Sequence, residues 1–67
     1  MKIGERLRSM RVQSRLSQQF VADYLGCKRQ TYTRYENDQR AIDLDGLVKL
    51  ADLYDVSVDY ILGRKGY

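Results

Sequence analysis

The chain has no histidine, no tryptophan and no proline, and a single cysteine in its 67 residues. Without histidine, and with only one thiol, a single chain cannot assemble a zinc site, and a lone cysteine cannot close an internal disulfide. Cys27 therefore reads as a small buried hydrophobe. There is no glycine-rich phosphate loop and no constellation for nucleophilic or acid-base chemistry, so neither a cofactor nor an enzymatic activity is expected. No apolar run reaches eighteen residues, and no charged-then-apolar leader opens the chain. These absences argue against membrane insertion and secretion and leave a cytoplasmic location as the expectation. Pro-rich, Ser-rich and low-complexity stretches are also missing, so residues 1–67 read as one domain without internal repeats. A domain this small hides only about 60% of its unfolded surface, and a second subunit would help it.

What is present is helical periodicity. Ile3, Leu7 and Met10 recur at i, i+4 and i+7, predicting an amphipathic helix from Lys2 to about Ser14 with Arg6, Arg8 and Arg15 toward solvent. Ser17 is a good N-cap for a second helix, Gln18 to Leu25. Val21 and Leu25 form its apolar stripe, with Phe20 and Tyr24 one step behind and Ala22 small enough for a close helix approach. Gly26 suits the positive φ that follows a helix when the chain turns sharply. A third helix is predicted over Lys28 to Asn37, with Tyr32 and Tyr35 on one face and Arg29, Gln30, Thr33 and Arg34 on the others. Asp43 caps a fourth helix, Leu44 to Tyr54, whose apolar positions are Leu44, Leu47, Leu50, Ala51 and Tyr54. Asp45-Gly46 could form a hairpin turn, but its flanks lack strand alternation. Ser57 caps a short fifth helix ending before Gly63, with Val56 and Ile61 placed as a hydrophobic staple.

Two short helices around Gly26, the first packing and the second carrying polar side chains, have the spacing of a helix-turn-helix that reads DNA. The Ser17-Gln18 opening, Ala22, Gly26 and the Arg34-Tyr35-Glu36-Asn37 run resemble the phage-repressor and Cro helix-turn-helix family, often called XRE. The likeness extends to IGERLRSMR at the start and LVKLADLYDVSVDYILGR at the end. It implies an all-α, compact five-helix fold of the lambda-repressor type, with helices 2 and 3 as the helix-turn-helix. It also implies that base contacts fall on Arg29, Gln30 and Arg34, with Lys28 and Thr33 at the margin of the groove. Arg can hold guanine O6 and N7, and Gln can bracket adenine N6 and N7, through paired bonds; alternatively, Arg29 and Arg34 touch only phosphate or are ordinary solvated helix residues. In the family the glutamine corresponding to Gln18 contacts phosphate and sometimes braces a recognition-helix side chain. Asn37, Gln39 and Arg40 resemble the other phosphate clamp. Arg11 and Glu36 match a family ion pair tying the first helix to the end of the third.

The sequence departs from the family pattern at several positions. Lys28 stands where a Ser or Thr usually caps the recognition helix, and Phe20 removes the return half of a capping box on Ser17. Asp38 replaces a glycine, Ile42 stands where proline is frequent, and Tyr32 takes an Ile or Val position, where it is expected to be mostly buried.

Charge divides along the chain. Residues 1–40 carry nine Lys or Arg against four Asp or Glu, a net +5, whereas the remainder carries three against five, a net −2. The basic half holds both helices of the motif, as expected if it faces a phosphate backbone. The expected partners are double-stranded DNA and a second copy of the chain, with no membrane and no metal. Tyr60, Leu62 and Tyr67 are the candidates for a homodimer contact near helix five, and core or tail roles are equally open to them. The leading functional expectation is a repressor binding a nearly palindromic operator. The alternative is an antitoxin or accessory module whose main partner is a protein.

Overall fold

The computed structural model describes residues 2–64. Its helices are α1 (Gly4–Gln13), α2 (Gln18–Leu25), α3 (Arg29–Glu36), α4 (Leu44–Tyr54) and α5 (Val58–Ile61). The all-α architecture is the expected one, and three of the starts have the expected chemistry. Ser17 Oγ accepts from Phe20 N at 3.0 Å, Asp43 Oδ1 from Gly46 N at 2.8 Å, and Ser57 Oγ from Tyr60 N at 3.0 Å. Each satisfies an amide that the helix cannot pair within itself, worth about 1 kcal/mol. Lys28 is the N-cap of α3 and supplies no such bond, so the third helix starts at Arg29 and ends at Glu36, one residue inside the predicted range at each end. The first helix starts at Gly4 rather than Lys2, with Ile3 as an N-cap whose side chain offers no acceptor. Its first amide finds one 34 residues away, where Gly4 N donates to Asp38 Oδ1 at 2.9 Å.

All five helices end in the same way. The chain enters the left-handed region at Arg15 (φ 59°), Gly26 (78°), Asp38 (58°), Asp55 (54°) and Gly63 (78°). At each the next residue's amide bonds back five positions: Leu16 N to Arg11 O, Cys27 N to Ala22 O, Gln39 N to Arg34 O, Val56 N to Ala51 O and Arg64 N to Asp59 O, at 2.8–3.1 Å. This is the paired-bond ending that normally selects glycine. Only Gly26 and Gly63 are glycine here. The other three positions carry a Cβ in a conformation that costs roughly 1–2 kcal/mol, of which a glycine would recover part after its larger loss of freedom on folding. Asp55→Gly should therefore raise stability by about 0.5–1 kcal/mol in urea unfolding. Asp38→Gly should give no such gain, because the Asp38 carboxylate is the partner of Gly4 N.

Every helix contributes to one core: Leu7 and Met10 from α1, Val21 and Ala22 from α2, Tyr32 from α3, Leu50 and Ala51 from α4, and Ile61 from α5. Tyr32 is fully buried, its ring meeting Tyr35 edge-on at 6.3 Å. The tight approach of α1 to α3 depends on Gly4, where a Cβ would lie 2.2 Å from the Glu36 carbonyl oxygen.

Some expected core positions face outward. Phe20 (49% exposed) and Tyr24 (41%) turn away, because α2 presents Gln18 and Ala22 to α3, and a stripe one step off is rotated by about 100°. Leu44 is 70% exposed: it opens α4, whose buried residues are Gly46, Leu50 and Ala51. Cys27 is half-buried rather than buried, since it lies in the turn joining α2 to α3. Arg6 remains exposed as expected, but its guanidinium stacks 5.3 Å above the Tyr60 ring and so fastens α1 to α5.

Candidate nucleic-acid interface

A buried polar network holds α3 against the two helices before it. Arg11 Nε donates to Glu36 Oε2 at 2.6 Å and Nη2 to Oε1 at 3.2 Å, while Nη1 reaches the Leu16 carbonyl at 3.0 Å. The side chains are 13% and 2% exposed, so this is a water-shielded bidentate pair. Gln18 Nε2 also donates to Glu36 Oε1, at 3.1 Å, and Gln18 Oε1 accepts from Thr33 Oγ1 at 3.0 Å. Burial pushes the Glu36 carboxyl up, but the bonds from Arg11 and Gln18 and the nearby Tyr32 phenol more than offset this and hold it below the usual carboxylate value. Burial first, and Glu36 second, raise the Tyr32 phenol far above its ordinary value; the same two causes push Tyr54 up to about 12. Neither phenol makes a hydrogen bond of good geometry among the described residues. At neutral pH the polar cluster thus surrounds a carboxylate with groups that are neutral or cationic.

On its other side α3 faces outward. Arg29, Gln30 and Arg34 are all exposed, and with Thr33 and Gln39 they line one shallow hollow of about 330 Å³. Among the described residues neither Arg29 nor Arg34 enters an ion pair. These are the three residues nominated for base contact, and the fold presents them together. Lys28 and Asn37 are exposed caps at the two ends of α3. Arg40 is exposed but lines a different hollow, with Ile3, Leu7, Ile42, Leu47 and Leu62, and Gln39 belongs to both. Gln18 stands apart from this group, because its carboxamide turns inward. Tyr60 and Leu62 are half-buried, with Tyr60 packed on the core, and Tyr67 lies outside the described residues.

This arrangement, a polar exposed helix set across a second helix by a glycine turn, coincides with a family model described as helix-turn-helix (HTH_3) over residues 7–61. The chain belongs to this helix-turn-helix family. The family is one of transcriptional regulators and not of enzymes. Among curated relatives, the chain is 46% identical over 59 residues to the uncharacterized HTH-type transcriptional regulator YobD of Bacillus subtilis (strain 168), covering 88% of this chain and 53% of YobD. It is 39% identical over 64 residues to HTH-type transcriptional regulator ImmR of the same organism, covering 96% and 50%. It is 36% identical over 64 residues to the cryptic phage CTXphi transcriptional repressor RstR of Vibrio cholerae serotype O1, covering 96% and 57%. The chain thus spans about half the length of these relatives. The P22 c2 repressor, crystallised with a synthetic operator, shares the fold with a TM-score of 0.85 at 22% identity, over 97% of this chain and 98% of that one.

Within the helix-turn-helix family frame, sequence reading named no partner for two supports of the site. One is the Asp38–Gly4 link, which ties the loop carrying Gln39 to α1. The other is the bond between Gln18 and Thr33. Thr33 and Glu36, three residues apart, share the stripe of α3 that meets Gln18. As for membranes, no helix among the described residues is long and apolar enough to cross one.

Proposed function

We propose that the protein is a sequence-specific DNA-binding transcriptional repressor acting in the cytoplasm, with α3 in the major groove of its operator. The observation that carries this is the grouping of Arg29, Gln30 and Arg34 on the exposed face of α3, while the opposite face is fixed by a buried ion pair. Unpaired guanidinium and carboxamide groups held on a rigid helix are what base-edge readout requires. Lys28, Asn37, Gln39 and Arg40 flank that face and supply phosphate contacts that set the register. The relatives named as transcriptional regulators, and RstR named as a repressor, support the same reading.

The protein binds as a homodimer, with Tyr60 and Leu62 in the contact between copies. A two-fold dimer places its recognition helices about 34 Å apart, one turn of duplex. Selection of bound sites from random duplexes should therefore return a near-palindrome whose half-site centres lie about 10 base pairs apart. Log affinity for that site should fall linearly with log salt, by about 0.9 per neutralised phosphate. A selection that enriches no motif, together with binding that ignores salt, would remove this function.

A further inference from the structure

The loop between α3 and α4 carries two of the proposed phosphate contacts, Gln39 and Arg40. Its entry is fixed by the left-handed ending of α3, where Gln39 N bonds to Arg34 O at 2.9 Å. Its exit is fixed by Ile42, packed against the core, and by Asp43, the cap of α4. Between these points Arg40 and Ala41 are exposed, make no hydrogen bond among the described residues, and border a hollow of about 390 Å³. The chain has no proline, so no ring restrains φ anywhere in the loop. One hydrogen bond ties the loop to an element distant in sequence: Gly4 N donates to Asp38 Oδ1 at 2.9 Å. Gly4 is itself pinned on the last turn of α3, where a Cβ would collide with the Glu36 carbonyl oxygen. Asp38 lies at φ 58°, a conformation in which glycine is less strained, and its carboxylate stands beside groups meant for phosphate. The Gly4 amide is among the free amides at the positive end of α1, so it offsets that charge locally.

We infer that Asp38 is a positioning residue that orders the loop through α1, so that Gln39 and Arg40 stand in place for phosphate before a duplex arrives. This rests on the proposed DNA-binding function and adds to it a determinant of affinity that touches neither base nor phosphate. A loop already ordered loses less freedom on binding. Because phosphate contacts carry no sequence information, the gain is the same for every duplex.

The test compares Asp38→Asn with Asp38→Gly in the full chain, on the selected duplex and on a random duplex. Both variants are neutral at this position and both residue types enter the left-handed region, but only Asn keeps an acceptor for Gly4 N. Asp38→Gly should bind both duplexes about two- to tenfold more weakly than Asp38→Asn, the range one hydrogen bond spans. Preference for the selected duplex should be the same in the two variants, and amide hydrogen exchange at Gly4 should be faster in the Gly variant. Repeating the comparison in a chain that also carries Gln39→Ala and Arg40→Ala separates positioning from a general effect on the fold. With no side chain left to position, the difference between Asn and Gly should disappear. If Asp38→Gly fails to fold, Asp38→Glu keeps the charge but displaces the acceptor, and should show the same uniform loss relative to wild type. Equal affinities of folded Asn and Gly variants overturn the inference. So does a difference that persists without the Gln39 and Arg40 side chains. A wild-type chain whose affinity ignores both salt and sequence sinks the DNA-binding function itself, a result distinct from either.

Discussion

Glu36→Gln is expected to lower folding stability by about 3–5 kcal/mol, because it leaves the Arg11 guanidinium shielded from water without its counter-charge. A chain of 67 residues has on the order of 3–10 kcal/mol in hand, so the loss takes a large share of it. Each lost kcal/mol lowers Tm by about 4–8 °C in a domain of this size, a shift easily followed by circular dichroism. Exposed ion pairs are worth only about 0–1 kcal/mol; a change of that size would show that water reaches the pair. Replacing both partners with apolar residues, as in Arg11→Met with Glu36→Leu, should recover part of the loss. Recovery stays incomplete, since the Leu16 carbonyl and Gln18 Nε2 then lose their partners.

The same network gives stability a pH dependence of defined sign. Glu36 is held below its ordinary value of 4.5, so the unfolded chain takes up the proton more readily than the folded one. Its contribution is complete above that value and is lost as pH falls through the lower folded value. At the alkaline end the phenols act in the opposite direction. Tyr32 and Tyr54 are raised above 10, Tyr54 to about 12, so their neutral forms stabilise the fold below pH 10, and that support is lost as pH rises further. Glu36→Gln should therefore be less sensitive to acid than wild type, and should keep only the part of the alkaline decline that burial of the phenols causes.

Local signals in the sequence were sufficient for the helix-turn-helix and not for what locks it together. Ser17, Asp43 and Ser57 could be read as caps because a cap and its helix are adjacent in the chain. Gly26 could be read as a stop because its conformational freedom is its own property. The partner of Asp38 could not be read, since Gly4 lies 34 residues away and the contact exists only after α1 crosses the end of α3. Arg15 in a left-handed turn was hidden for another reason: arginine is not a residue type that advertises that conformation, and the helix it closes outweighs the local cost. The Arg11–Glu36 pair came from resemblance alone, as 25 residues separate its members and nothing in either helix's pattern links them. At the site, exposure of Arg29, Gln30 and Arg34 followed from helical period once Tyr32 was assigned to the core. The inward turn of Gln18 did not, because a glutamine at a helix start looks the same whether it serves a phosphate or a neighbouring helix.

Arg29→Ala should relax base preference at one position of each half-site by about 1–3 kcal/mol, the discrimination a bidentate pair supplies. The fold should be untouched. Arg29 is exposed and free of ion pairs among the described residues, and it meets the Thr33 hydroxyl through a backbone carbonyl that alanine keeps. Arg40→Ala provides the contrast. As a phosphate contact, Arg40 should weaken all duplexes alike and flatten the salt slope by about 0.9 per phosphate lost, leaving the ranking of sequences unchanged. Competition binding with the selected site and its four-base variants at each position separates the two outcomes. If Arg29→Ala lowered every affinity equally and flattened the salt slope, Arg29 would be a backbone contact, and specificity would pass to Gln30 and Arg34. If both arginines instead left affinity and ranking unchanged, the exposed face of α3 would not be the surface that meets the duplex. The buried network would then be fixing that helix for a partner of a different kind.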